Sequence, residues 1–191
     1  MLAVMDETAP SDSGGIYYVG AATIILHDDS AQIRERLRGI ISQPGRKRPF
    51  HWSVEGSEIR ARMIACLGEI GAVAHVCVHY PTGRKRQELA RAHGIKTLLP
   101  LLLNEGVDEL LIESRGEALV DNRDKRVIVG TLQSLGNPTL SYAWRDKSEE
   151  LLWLADAVCG SIRDYLMGEN SSSFEQLREL GVVTEPIYIR S

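Results

Sequence analysis

Three carboxylates carry the chemistry that this sequence could perform. Asp6 closes the apolar run "LAVMDE" (2–7), Glu113 closes "DELLIES" (108–114), and Asp156 lies inside "LLWLADAVCG" (151–160). An ionised carboxylate is costly to bury unless it is paired, hydrogen-bonded or bound to a metal, so an acid within an apolar helix face needs a partner. Two acids at strand ends and a third on a helix crossing those ends can converge on a divalent cation. Mg²⁺ or Mn²⁺ suits such a set, because a hard ion takes one or two carboxylates and keeps waters or substrate phosphates. A pair of such ions can activate water and stabilise the leaving oxygen in phosphodiester cleavage. Ordinary readings compete: an acid after a strand can be a loop residue or a helix cap, and Asp156 can be exposed or paired with Arg163.

The elements that must position these acids follow from periodicity. Residues 2–7 read as a strand, and "IYYVGAATIIL" (16–26), rich in aromatic and β-branched residues, as its antiparallel partner. "DDSAQIRERLRGIIS" places Ile33, Leu37, Ile40 and Ile41 on one helical face, capped by Asp29 or Ser30. "FHWSVEG" is ambiguous, and "SEIRARMIACLGEIG" is a second helix. "AVAHVCVHY" (72–80) is a strand with Ala74, Val76 and Val78 on one face and His75, Cys77 and His79 on the other. Residues 83–106 read as a helix kinked or broken at Gly94 and Pro100. Strands at 108–114 and 139–146 flank a helix at 121–135, and a helix at 151–168 follows. On that last helix Leu151, Leu154, Ala155, Val158 and Ile162 form the packing stripe, while Gly160 leaves open space beside Asp156. The tail adds a short helix and a final extended segment. Strands alternating with helices predict an α/β domain with a mixed five-stranded sheet covered by helices.

Composition narrows the class. The chain has 191 residues, 43% hydrophobic and 25% charged, as expected of one soluble globular domain. Three widely spaced cysteines without a CxxC pair argue against a disulfide framework or a zinc finger. No apolar run approaches a membrane span, and the first residues turn acidic too early for a signal peptide, so a cytoplasmic protein without membrane partners is expected. There is no GxSxG elbow and no GxGxxG after a strand, which leaves esterase and dinucleotide chemistry without support.

"VMDETAPSDSGGIYYVGAATI" resembles the opening of the domain of unknown function 3800 family, whose members begin with an apolar strand, an Asp-Glu-Ser-Gly motif and a second strand. "LLWLADAVCGSIRDY" resembles that family's closing helix with its Ala-Asp core. The resemblance implies an RNase H-like domain over 1–168, with 169–191 as a C-terminal extension packing on it, and a metal-dependent nuclease site. By position it implies Asp6 and Asp156 as the first and last metal-binding catalytic acids, Glu113 as the acid of the central strand, and Glu7 as an auxiliary. Thr8 and Ala9 replace the usual Ser-Gly. Pro49 and His51, in "PFHW", replace the family's Glu-apolar-Lys, with Glu55 as the available substitute.

Positive charge is local in a chain of net charge -4: "GRKR" occurs at 45–48 and again at 83–86. Arg46, Lys47, Arg48, Arg84, Lys85 and Arg86 could grip a nucleic-acid backbone, with His51 and Trp52 stacking on a base. Solvated turns are the plain alternative. His75, Cys77 and His79 lie about 7 Å apart along one strand face, too far for one ion, so core or helix-facing roles are expected. The expectation is a Mg²⁺- or Mn²⁺-dependent phosphodiesterase acting on nucleic acid. Its rivals are a non-catalytic nucleic-acid- or protein-binding module on the same fold, and a homodimer built on the "VVTEPIYIRS" strand.

Overall fold

The computed structural model describes residues 1–9, 17–25, 30–42, 44–45, 48–83, 86–116, 118–136 and 138–190. Apolar alternation along the strands builds one sheet with two buried faces. β1 (Leu2–Thr8) pairs antiparallel with β2 (Tyr18–Ile25), and β2 antiparallel with β3 (Val73–Tyr80). β4 (Glu109–Glu113) runs parallel to β1 on its other side, and β5 (Ser141–Arg145) parallel to β4. β6 (Ile187–Arg190) joins parallel to β3. The order is β5-β4-β1-β2-β3-β6, six strands rather than the five expected. The extra strand is the tail's extended segment, which satisfies the backbone groups that β3 would otherwise leave unpaired at its edge.

Helices cover both faces. α1 (Ser30–Ile41), α2 (Ser57–Glu69), α5 (Leu152–Leu166) and α6 (Ser172–Glu179) pack over Val4, Val19, Ala21, Val76, Val78 and Leu111. α3 (Gln87–Asn104) and α4 (Ala118–Ser134) pack over Ala3, Met5, Ala22, Ile24, Leu110 and Ile112. Strand alternation therefore puts Asp6, in step with Val4, on the α5 face, and Glu7, in step with Met5, on the α3 face. The tail contributes Phe174, Leu177, Val182 and Val183 to the α5-side core.

α3 runs as one helix through Gly94 and Pro100, without the expected break. A Cβ at Gly94 would stand 3.2 Å from Cys77 Sγ, so the glycine serves close helix–sheet approach. Pro100 forgoes one backbone hydrogen bond, while Leu98, Leu99 and Leu102 around it are buried and hold the helix to the sheet. Among the described residues, no helix is long and apolar enough to cross a membrane.

Candidate functional site

Parallel pairing brings two of the acids together. Met5 lies opposite Ile112 in the β1–β4 register, so Asp6 and Glu113, one step on, are neighbours on the α5 face. Their carboxyl groups are in hydrogen-bond contact, which requires a shared proton or an external cation to offset the repulsion. Burial first, then the charges of Glu113 and Asp156, push the Asp6 carboxyl well above its ordinary range. Lys147, just past β5, supplies a cation: its Nζ lies 3.2 Å from Glu113 Oε1. Partial burial by itself would lower the Lys147 ammonium. Attraction to Glu113, then Asp6 and Asp156, outweighs that and raises it.

Asp156 reaches the same cluster from α5 but is held by other partners. Its Oδ2 accepts the Trp52 backbone N–H at 2.9 Å and lies 3.3 Å from His51 Nδ1. The carboxylate is therefore tolerable inside an apolar helix because a 3-10 turn, Trp52–Val54, delivers a backbone donor to it. The Asp156–Arg163 pairing is not formed. Arg163 turns to the next acid, Asp164, at 2.6 Å. Neighbouring Cys159 is fully buried and donates its S–H to the Asp6 carbonyl at 3.3 Å. Burial, reinforced by the Asp6 and Asp156 charges, holds that thiol well above its usual range and hence neutral.

The expected open space at Gly160 is filled. A Cβ there would stand 2.2 Å from Trp52 Cγ, because the indole occupies the notch. Trp52 is 1% exposed and its Nε1–H donates to Asp164 Oδ2 at 2.8 Å, with the Arg60 guanidinium over the ring. This corrects the expectation that Trp52 stacks on a base: the ring belongs to the core, drawn in by the small residue at 160 and the buried acid at 164.

The remaining expected residues separate. Glu7 faces α3, where it pairs with Arg91 and Arg115 and accepts the Tyr18 hydroxyl at 3.2 Å; only its N–H touches the cluster, donating to Asp6 Oδ1 at 2.7 Å. Glu55 is buried, lies 3.5 Å from Arg48 and accepts the His51 N–H at 3.4 Å. His51 stays half-exposed beside Asp156. Arg48 also donates to the Val54 carbonyl. Arg86 sits at the start of α3. Arg46, Lys47, Arg84 and Lys85 lie outside the described residues. Cys77 packs on the α3 side, and His79 is buried against Thr82 and His93, in keeping with core roles for that strand face.

Three features escaped the sequence reading. Lys147 stands past a strand end, at the same end of the sheet as Glu113, and that shared end was the available signal. Asp164 gathers Trp52, Arg60 and Arg163, and Arg91 lies buried between Glu7 and Asp124. Nothing in local pattern marks these last two networks, since both join residues far apart in sequence.

Among the described residues, no three His, Cys, Asp or Glu side chains are set close enough to hold a metal ion together. Asp6 and Glu113 form a two-carboxylate, all-oxygen donor pair. Such a pair fits a hard divalent cation that keeps other positions for water or phosphate.

No family model and no curated protein matches the chain, so the resemblance to the domain of unknown function 3800 family rests on the motif residues alone. Among solved structures, the chain is similar to one in the structure described as the PCNA:RNase HII complex from Archaeoglobus fulgidus. Identity is 13%, the match covers 95% of this chain and 77% of that one, and the TM-score is 0.49.

Proposed function

We propose that the protein is a divalent-metal-dependent phosphodiesterase acting on nucleic acid, on an RNase H-like fold of the kind the family resemblance implies. One observation carries the reading: the Asp6 and Glu113 carboxyls meet on adjacent parallel strands, with Asp156 close enough to raise Asp6 further. Burying the Asp6 carboxyl against a second carboxyl is costly, and a cation received between them would offset that cost. Asp6 and Glu113 would hold Mg²⁺ or Mn²⁺, and Asp156 would add its negative charge from α5. The bound ion supplies Lewis-acid activation of a water and stabilisation of the leaving oxygen. The chain's own groups do the rest: Trp52 N–H and His51 fix the Asp156 carboxylate, and Cys159 donates its S–H to the Asp6 carbonyl and so ties α5 to β1.

A second reading has its own support. Lys147 already offsets the charge of the acids, as it would in a non-catalytic binding module whose carboxylates are structural. Calorimetric titration of Mn²⁺ into wild type, Asp6→Asn and Asp156→Asn separates the two. Saturable binding lost in the variants supports the enzyme. Absence of binding in folded wild type, together with nuclease assays that do not respond to the substitutions, supports the module.

A further inference from the structure

The end of the sheet that carries the acids also carries an aromatic cleft that they do not use. It has a volume of about 540 Å³ and opens where β2, β3 and β6 meet the end of α5, with Tyr17, Tyr80, Leu166, Tyr188 and Arg190 in its wall. Tyr17 and Tyr80 stack with ring centroids 5.0 Å apart. Tyr80 and Tyr188 are nevertheless 40% and 56% exposed. Register explains the grouping. Arg190 lies opposite Tyr80, and Tyr188 opposite Val78, so these side chains share the sheet face of Val78, which is also the α5 face.

Two independent rulers set the distance to the acids. Along the sheet, β3 lies two strands from β1 and β6 three, which is about 10–15 Å. Along α5, Asp156 and Leu166 are ten residues apart, or about 15 Å of helix. A nucleic-acid strand with stacked bases covers that span with about four nucleotides at 3.4 Å each.

We propose that the cleft is a stacking platform for the unpaired bases of single-stranded nucleic acid, whose backbone continues along the sheet end to Asp6, Glu113 and Asp156. This rests on the phosphodiesterase reading and adds the substrate class to it. Aromatic faces accept any base, and a guanidinium beside them takes phosphate, which is the chemistry by which single strands are held without sequence preference. Arg190 supplies that cation within the cleft. A duplex, with its bases already stacked on each other, has none free to lay on the tyrosines.

The test is fluorescence anisotropy of a short labelled oligothymidylate with the full chain in EDTA. Expected are saturable binding by wild type, a loss of about 5- to 50-fold in Tyr188→Ala, and retention within about twofold in Tyr188→Phe, because the ring and not the hydroxyl does the stacking. Arg190→Ala flattens the slope of log affinity against log salt by about 0.7. Wild type that does not bind, Tyr188→Ala that binds as wild type does, or equal competition by duplex or by thymidine monophosphate overturns the platform. Since no divalent ion is present, failure here is distinct from failure of Mn²⁺ to bind the acids.

Discussion

Trp52 and Gly160 are one packing unit: the indole lies in the space that any side chain at 160 would need, 2.2 Å from an added Cβ. The same residue donates its backbone N–H to Asp156 and its ring N–H to Asp164, eight residues apart on α5. Gly160→Ala therefore forces the turn outward. Overpacking costs about 1–3 kcal/mol or more, and only about 1 kcal/mol returns as helix propensity. A net loss of stability with an unchanged m-value is expected in urea unfolding, accompanied by weaker Mn²⁺ binding as Asp156 loses its donor. A variant as stable as wild type would show that Trp52 can leave the notch at no cost.

Arg91 lies buried between Glu7 and Asp124. Arg91→Met strands Asp124 and leaves Glu7 only Arg115 and the Tyr18 hydroxyl, and breaking such a buried set costs about 3–5 kcal/mol. Adding Glu7→Gln and Asp124→Asn to the same chain is expected to recover most of that loss. Equal stability of the single and triple variants would place the cost in side-chain packing instead of charge.

Asp6 binds its proton more tightly folded than unfolded, since burial and the Glu113 and Asp156 charges raise it. The folded chain thus holds more protons between the ordinary carboxylate range and the raised value. Stability falls as pH climbs through that window, and above it the full penalty remains. Asp6→Asn is expected to be more stable than wild type near about pH 8, with the advantage shrinking towards about pH 4. Mn²⁺ binding should show the opposite slope, strengthening as pH rises, because the ion displaces the same proton. Parallel urea titrations and calorimetry at the two pH values check both. A stability difference independent of pH would contradict the buried, proton-sharing pair.

Lys147 competes with any divalent ion for Glu113. Lys147→Met is expected to tighten Mn²⁺ binding on the order of tenfold, as changes beside metal ligands commonly shift affinity by that scale. Weaker binding in the variant would mean that the lysine orders the carboxylates for the ion.

Much of this arrangement was legible beforehand, for identifiable reasons. Apolar alternation and helix periodicity marked the strands and helices around Asp6, Glu113 and Asp156, because each signal lies within its own element. The acid at 156 stood out because its helix is otherwise apolar. What pattern could not carry was partnership at a distance. Trp52 reads as an exposed aromatic beside a basic cluster until Gly160 and Asp164, over a hundred residues on, supply its place. Glu7 reads as a neighbour of Asp6, yet strand alternation sends its side chain to the opposite face, to Arg91. The sixth strand was missed as sheet because a short segment finds its ladder only when β3 offers an edge.

The β1–β4 pairing also constrains how the chain is made. β1 and β2 can pair as soon as both have left the ribosome, but β4 comes more than eighty residues after β2. At about 5–20 residues per second, the free edge of β1 waits roughly 4–18 seconds for its partner. Apart from Asp6 and Glu7, that strand, "LAVMDET", carries no charge. Asp6 and Glu7, which end on opposite faces of the finished sheet, are therefore, in the nascent chain, the groups that keep an apolar edge from finding the wrong neighbour.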